Sequence, residues 1–149
     1  MKSGFCISKV IIFSGFFLLL FFSPFCKKED DQIPYVDVNF TIYLNDPEFS
    51  ALTAVGNSLV VTGGYNGIVI YRLSVDEFMA YERTCTADPS KKCSMETDDS
   101  GVFIVCDCCG SKFLLLDGSP ADDTKPAVLS LRQYNTNYYE GSNMLHVYN

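Results

Sequence analysis

The sequence predicts an all-β domain, an antiparallel sandwich or small barrel, and three observations carry that prediction. Val36, Val38, Phe40, Ile42 and Leu44 alternate strictly with Asp37, Asn39, Thr41 and Tyr43, the period-two signature of a half-buried strand. Short apolar runs recur after it, each ended by Gly, Asp or Asn turn residues. No stretch sustains the apolar repeat of a long amphipathic helix.

The chain begins with a segment that does not belong to this pattern. Lys2 and Lys9 give a positive start, and Val10 to Phe22 is a run of 13 nearly continuous apolar residues. A membrane-spanning helix needs about 20, so residues 1–25 are expected to be a signal peptide. Cys26 follows, and then the charged stretch Lys27-Lys28-Glu29-Asp30-Asp31. A cysteine that closes a short apolar run and opens a charged tail resembles the lipobox of bacterial lipoproteins, with Phe25 where that family has a small residue. The resemblance implies that Cys26 carries lipid, that residues 26–34 are a lipidated tether, and that the protein is exported and held at a membrane of the cell envelope. An ordinary signal peptide cleaved nearby, or an uncleaved N-terminal anchor, is the alternative.

Losing Lys2 and Lys9 with that segment would leave nine basic against 18 acidic groups in the 124 residues from Cys26, a net charge of −9. A surface so acidic repels nucleic acid, which excludes that class of partner. The remaining length is enough for one modest core, expected over residues 35–149.

Within that domain the elements follow in order. The alternating strand ends at Asn45-Asp46-Pro47, and Phe49 to Val55 reads as a loop with a helical turn. Ser58 to Thr62 and Ile68 to Leu73 are strands joined by Gly63-Gly64-Tyr65-Asn66-Gly67. That glycine-rich run lacks the Lys-Ser/Thr of a phosphate loop and reads as a tight turn. Ser74 to Glu77 has capping-box spacing, which predicts a helical turn over Asp76 to Met79. Met79 to Thr84 is the next strand, and Asp98-Asp99-Ser100-Gly101 is a hairpin signal before the strand Val102 to Val105. Phe113 to Leu116 is ended by Asp117-Gly118-Ser119-Pro120. The closing strands are Val128 to Tyr134 and Met144 to Tyr148, with a turn between them at Asn135 to Asn143.

Five of the chain's seven cysteines fall on two loops launched by these strands: Cys85 and Cys93 on the first, Cys106, Cys108 and Cys109 on the second. The second reads Cys106-Asp107-Cys108-Cys109-Gly110. Two residues between Cys106 and Cys109 let both sulfurs face one ion, and the glycine allows a tight turn. Cys108, next to Cys109, points elsewhere and reads as a spare thiol, an outer-shell group or a disulfide partner. In an exported protein, disulfides such as Cys85–Cys93 or Cys93–Cys106 are the competing reading. Five thiols is an odd number, so pairing alone leaves one over.

The order of these elements is similar to that of Rieske-type [2Fe–2S] domains. A strand leading to Phe78-Met79-Ala80-Tyr81-Glu82-Arg83-Thr84-Cys85, a loop, the strand to Cys106, the Cys106-x-x-Cys109-Gly110-Ser111-Lys112-Phe113 run and the Asp117-Gly118-Ser119-Pro120 turn carry the resemblance. It covers about Leu59 to Val147. In that family two cysteines hold one iron and two histidines the other. The resemblance implies that Cys85 and Cys106 stand for the two cysteines. Ala87 and Cys109 occupy the histidine positions, and the one histidine, His146, lies in the last strand. A two-histidine cluster is therefore chemically excluded. An all-cysteine set of Cys85, Cys93, Cys106 and Cys109 would suit a 2Fe–2S cluster of ferredoxin type, or zinc.

Two functions stay open on the sequence. One is a membrane-anchored electron carrier, not an enzyme, serving an unnamed protein redox partner. The other is a binding or structural lipoprotein whose loops are held by zinc or disulfides. With one remote histidine, a Cys-His nucleophile pair is not formed.

Overall fold

A computed structural model describes residues 33–122, 125–127 and 129–149 of the chain. The predicted signal segment and Cys26 lie outside the described residues, as does Val128. Among the described residues no helix is long and apolar enough to cross a membrane.

The fold is all-β and antiparallel throughout. Among the described residues nine strands form two sheets: β1 (Asn39–Tyr43), β2 (Ser58–Val61), β3 (Ile68–Arg72), β4 (Phe78–Glu82), β5 (Met95–Thr97), β6 (Phe103–Cys106), β7 (Lys112–Leu114), β8 (Gln133–Tyr139) and β9 (Met144–Tyr148). Six strands pair in the order β1-β9-β8-β4-β3-β2, and β5-β6-β7 form a small separate sheet. Both cysteine loops belong to the small sheet and its junction with β4.

β3 shows how the sequence builds two cores from one strand. All five of its residues are buried. Val69 and Tyr71 face a core with Tyr81, Met95, Ile104, Phe113 and Leu115, which also contains Cys85, Cys93 and Cys106. Ile68 and Ile70 face a second core with Ile42, Leu52, Ala80, Tyr134, Leu145 and Val147. A near-continuous apolar run is what a strand covered on both faces requires. Burial of so many Leu, Ile, Val and aromatic side chains, each contributing about 1.5–3 kcal/mol, supplies the main folding drive.

Arg72, at the end of β3, is buried but fully engaged. Its guanidinium donates to the carbonyls of Leu52 (3.0 Å), Thr53 (3.0 Å), Ser74 (3.1 Å) and Val75 (2.5 Å). It also lies over the Phe78 ring, 5.0 Å from its centroid. One planar fork thereby ties the 3-10 turn Pro47–Thr53 and the turn after β3 to the sheet.

Glu82 closes β4 and is wholly buried. Its carboxylate accepts from Tyr65 N (2.6 Å), Asn66 N (3.0 Å), Thr84 N (3.1 Å), Thr84 Oγ1 (2.9 Å) and Tyr134 OH (2.9 Å). This is the reason for the glycine-rich turn: its amides wrap the carboxylate. Gly64 has φ +61°, and a Cβ there would stand 2.4 Å from Glu82 Oε2 and 2.6 Å from Tyr134 OH. Only glycine fits.

The ends of the described domain are latched together. Asn149 donates through Nδ2 to Val36 O (2.8 Å) and through its backbone N to Val38 O (3.1 Å), while its Oδ1 accepts from Val38 N (3.1 Å). Arg132 reaches the carbonyls of Pro34 (2.8 Å) and Ile33.

Two expected elements differ. The capping-box spacing at Ser74 does not start a helical turn. Ser74 Oγ accepts from Glu77 N (3.2 Å), but Phe78 already pairs with Arg72 in the sheet. The strand expected at Val128 to Tyr134 instead begins at Gln133 and runs to Tyr139, straight through the Asn/Tyr segment expected as a turn. Tyr134, Thr136 and Tyr138 face inward or are half-buried there, with Asn135, Asn137 and Tyr139 exposed. The asparagines are the outward half of a period-two strand, and the turn shrinks to Glu140–Ser142 with Asn143 at φ 49°.

Candidate metal centre

The small sheet places the thiols. Cys85 stands just beyond β4, where Thr84 bridges Ser94 and Cys85 N donates to Cys93 O at 3.1 Å. That pairing pinches the first loop shut, with a 3-10 turn at Pro89–Lys91 as its tip. Cys106 ends β6 directly opposite Met95 of β5. The second loop turns on Gly110 (φ +69°), whose amide donates to Cys106 O at 2.8 Å, and Cys106 N donates to Ser111 O at 2.9 Å. Strand pairing thus fixes the backbone beneath Cys85, Cys93 and Cys106, and a tight turn fixes it beneath Cys109.

Three free thiols converge. The sulfurs of Cys85, Cys106 and Cys109 lie within 4.8 Å of one another, and Cys85 Sγ is 3.7 Å from Cys109 Sγ. Cys85 and Cys106 are each 1% exposed, while Cys109 is half-buried at the mouth. All five loop cysteines line one cavity of about 450 Å³, closed at its rim by Ala87, Asp88, Lys91 and Pro126. Asp88 and Lys91 pair across 2.9 Å at that rim.

The fourth expected ligand lines the same cavity but is already bonded. Cys93 is bonded to Cys108, with an S–S distance of 2.03 Å, so its sulfur is not a thiol. Of the four-cysteine set, the structure brings Cys85, Cys106 and Cys109 together and leaves Cys93 out. The pairing also differs from the Cys85–Cys93 and Cys93–Cys106 bridges weighed from the sequence. The physical reason is the register: Cys93, before β5, and Cys108, beyond β6, flank a paired strand end at a Cα–Cα distance of 6.0 Å. Cys108 therefore has the disulfide role that its place beside Cys109 allowed.

The environments of the thiols differ. Burial pushes the Cys85 thiol up to about 12, helped by hydrogen bonds with Cys106 and Cys109 and opposed by the Ala87 amide. At Cys109 burial acts in the same direction but is outweighed. Hydrogen bonds with Ser111, whose Oγ is 3.1 Å from Cys109 Sγ, hold that thiol below its ordinary value, with Cys106 and Cys85 adding to the effect. Ser111 was not singled out from the sequence; its place two residues after Cys109 is the signal that points to it. Its hydroxyl also accepts from Ala127 N at 3.3 Å, which pins the loop after β7 against the site.

His146 takes no part. It lies in β9, next to strands without cysteines, with Nε2 2.9 Å from Asn39 Oδ1 and its ring stacked on Tyr148. Asp76 and Glu77 are exposed beside Ser74, as solvated carboxylates should be.

The donors fit a soft metal in kind and are one short in number. Two thiolates on one tetrahedral ion, bound at about 2.3 Å, stand about 3.8 Å apart. That is the Cys85–Cys109 separation, so the spacing of that pair suits a single ion.

No protein-family model and no curated protein matches the chain. Solved structures do. A chain of the complex of reduced oxygenase and oxidised ferredoxin in carbazole 1,9a-dioxygenase is 26% identical, covering 63% of this chain and 82% of that one, with a TM-score of 0.47. The ferredoxin of carbazole 1,9a-dioxygenase from Nocardioides aromaticivorans IC177 is 17% identical over 64% of this chain and 86% of its own, with a TM-score of 0.45. A ferredoxin of Sphingomonas yanoikuyae B1 is 16% identical over 66% of this chain and 93% of its own, with a TM-score of 0.44.

Proposed function

We propose that this chain is a Rieske-like electron-transfer protein whose iron–sulfur centre, of the 2Fe–2S type, is held by cysteine thiolates in place of histidines. The observation that carries the reading is the convergence of Cys85, Cys106 and Cys109 within 4.8 Å at the ends of two strand-launched loops. A bound cluster supplies one-electron exchange. The chain's own residues do the rest. Cys85 and Cys106 hold from the buried side, and Cys109 holds from the mouth. Ser111 orients the Cys109 sulfur, and outer groups of this kind position ligands and tune the metal. A protein redox partner would approach at the mouth, where Ala87 and Pro126 give apolar contact beside the Asp88–Lys91 pair. We further propose export and membrane attachment through lipid on Cys26, supported by the apolar run and charged tail that flank it.

Iron and acid-labile sulfide measured on the full chain, purified without oxygen, test the reading. It expects iron and sulfide in equal amounts, near two of each by the cluster's formula, and loss of both in Cys106→Ser. A second reading, a structural single-ion site, is favoured by the 3.7 Å Cys85–Cys109 spacing and by the burial of two of the three sulfurs. One zinc without sulfide would establish it. Absence of any metal from protein prepared this way would end both.

A further inference from the structure

The second sulfur group is what the proposed function leaves unused. Cys93, Cys106 and Cys108 also lie within 4.8 Å of one another, so Cys106 belongs to both sulfur groups. The two groups are halves of one five-sulfur cavity. They differ in that one holds a covalent bond.

The two bonded cysteines are not equivalent. Cys93 is 7% exposed, inside the core with Cys85 and Cys106, and its backbone is paired to Cys85 through the Thr84–Ser94 bridge. Cys108 lines the same cavity but is exposed. Opening the bond would leave Cys93 in the cavity and Cys108 in water. Cys93 Sγ already stands within 4.8 Å of Cys106 Sγ, so rotation of its side chain is the movement needed to join the other thiols.

We infer that the Cys93–Cys108 disulfide is a redox gate on the metal site: reduction releases Cys93 to complete a four-thiol set with Cys85, Cys106 and Cys109. The inference rests on reading these thiols as a metal site, whichever metal that is. The step is ordinary thiol–disulfide exchange with a dithiol reductant. A reductant thiolate attacks the exposed Cys108 sulfur. The Cys93–Cys108 bond breaks, a mixed disulfide forms on Cys108, and Cys93 leaves as thiolate and takes a proton. The reductant's second thiolate then attacks the mixed disulfide and closes its own ring. Cys108 is released and protonated, so two electrons pass from the dithiol to the protein. A four-thiolate site prefers soft tetrahedral ions and binds them more tightly than a three-thiolate one.

Cobalt(II) is the probe, because its visible and thiolate charge-transfer absorption reports ligand number and geometry without requiring iron or sulfide. Full-length protein, freed of metal, is titrated with cobalt(II) before treatment with a dithiol and after treatment and removal of the reductant without oxygen. Thiol counts on the same samples should rise by two on reduction. The charge-transfer intensity per bound ion should rise in a ratio of about four to three, and cobalt affinity by about tenfold or more. Cys108→Ser should show the four-thiolate spectrum without any reductant. Cys93→Ser should stay at the three-thiolate spectrum in either condition.

An unchanged wild-type spectrum after the thiol count has risen would overturn the gate, and that comparison needs no variant to fold. A four-thiolate spectrum in Cys93→Ser would overturn the assignment to Cys93. Failure of the iron–sulfur reading looks different: iron and sulfide would be absent while the cobalt response to reduction persisted.

Discussion

Glu82 is a buried carboxylate that five donors face, two of them amides of the half-buried Tyr65 and Asn66. Glu82→Gln would turn an amide NH2 toward at least one backbone N–H, because Tyr65 N faces one carboxylate oxygen and Asn66 N and Thr84 N face the other. A stability loss of about 3 kcal/mol is expected, read by denaturant unfolding of metal-free protein. Gly64→Ala should be among the most damaging single-methyl changes, because the new Cβ meets Glu82 Oε2 at 2.4 Å. Gly56→Ala, also at positive φ but with nothing within 4 Å, should cost only the backbone strain of roughly 1–2 kcal/mol. The two buried tyrosines part in the same way. Among the described residues Tyr81 OH has no hydrogen-bond partner, so Tyr81→Phe should be neutral or stabilising. Tyr134→Phe removes a donor from Glu82 and should cost about 1–2 kcal/mol. At the thiols, exposure decides the order of reaction. In metal-free protein, Cys109 should be alkylated before Cys85 and Cys106, which should react only on unfolding, as peptide mapping over time would show.

Among the elements, β1 and β3 were plain in the sequence because the side chains themselves carry the pattern. β1 alternates, and β3 is an apolar run buried on both faces. β8 was not, because its outward positions are Asn135 and Asn137, residues that local rules assign to turns. Pairing with both β4 and β9 overrides that local preference. β5, three residues long, has no signal of its own and exists because β6 offers it an edge. The candidate site was legible as far as chemistry and order go: two loops, thiols and the turn glycine. The disulfide was not, since which sulfur meets Cys93 depends on the register of β5 against β6 and on the pinch at Thr84–Ser94. Arg72 shows the same limit. Its charge marks it in an apolar run, but its four carbonyl acceptors come from two separate turns. Arg72→Lys keeps the charge and loses the fork, and increased hydrogen exchange over the 3-10 turn Pro47–Thr53 is the expected result.

For the whole molecule, alkaline pH should be the destabilising direction. Burial and, secondarily, Asp117 raise the Tyr81 pKa; burial and then Glu82 raise that of Tyr134. The folded state keeps these protons at a pH where the unfolded chain sheds them. The stabilisation is therefore fully present below about pH 10 and falls as pH rises through and beyond it. Denaturant midpoints between about pH 9 and about pH 11 should fall, and the slope should flatten in Tyr81→Phe.

The latch at Asn149 has a topological consequence. Because Asn149 hydrogen-bonds to Val36 and Val38, residues 36 and 149 meet at one edge of the six-stranded sheet, where β1 pairs with β9. Chain order is then free to change while the pairings stay. A permuted gene that joins residue 149 to residue 36 by a short linker and opens the exposed Asp98–Gly101 hairpin would preserve every strand partner of β1, β8 and β9. It would also place a chain break in the hairpin between β5 and β6, the two strands whose register sets the disulfide.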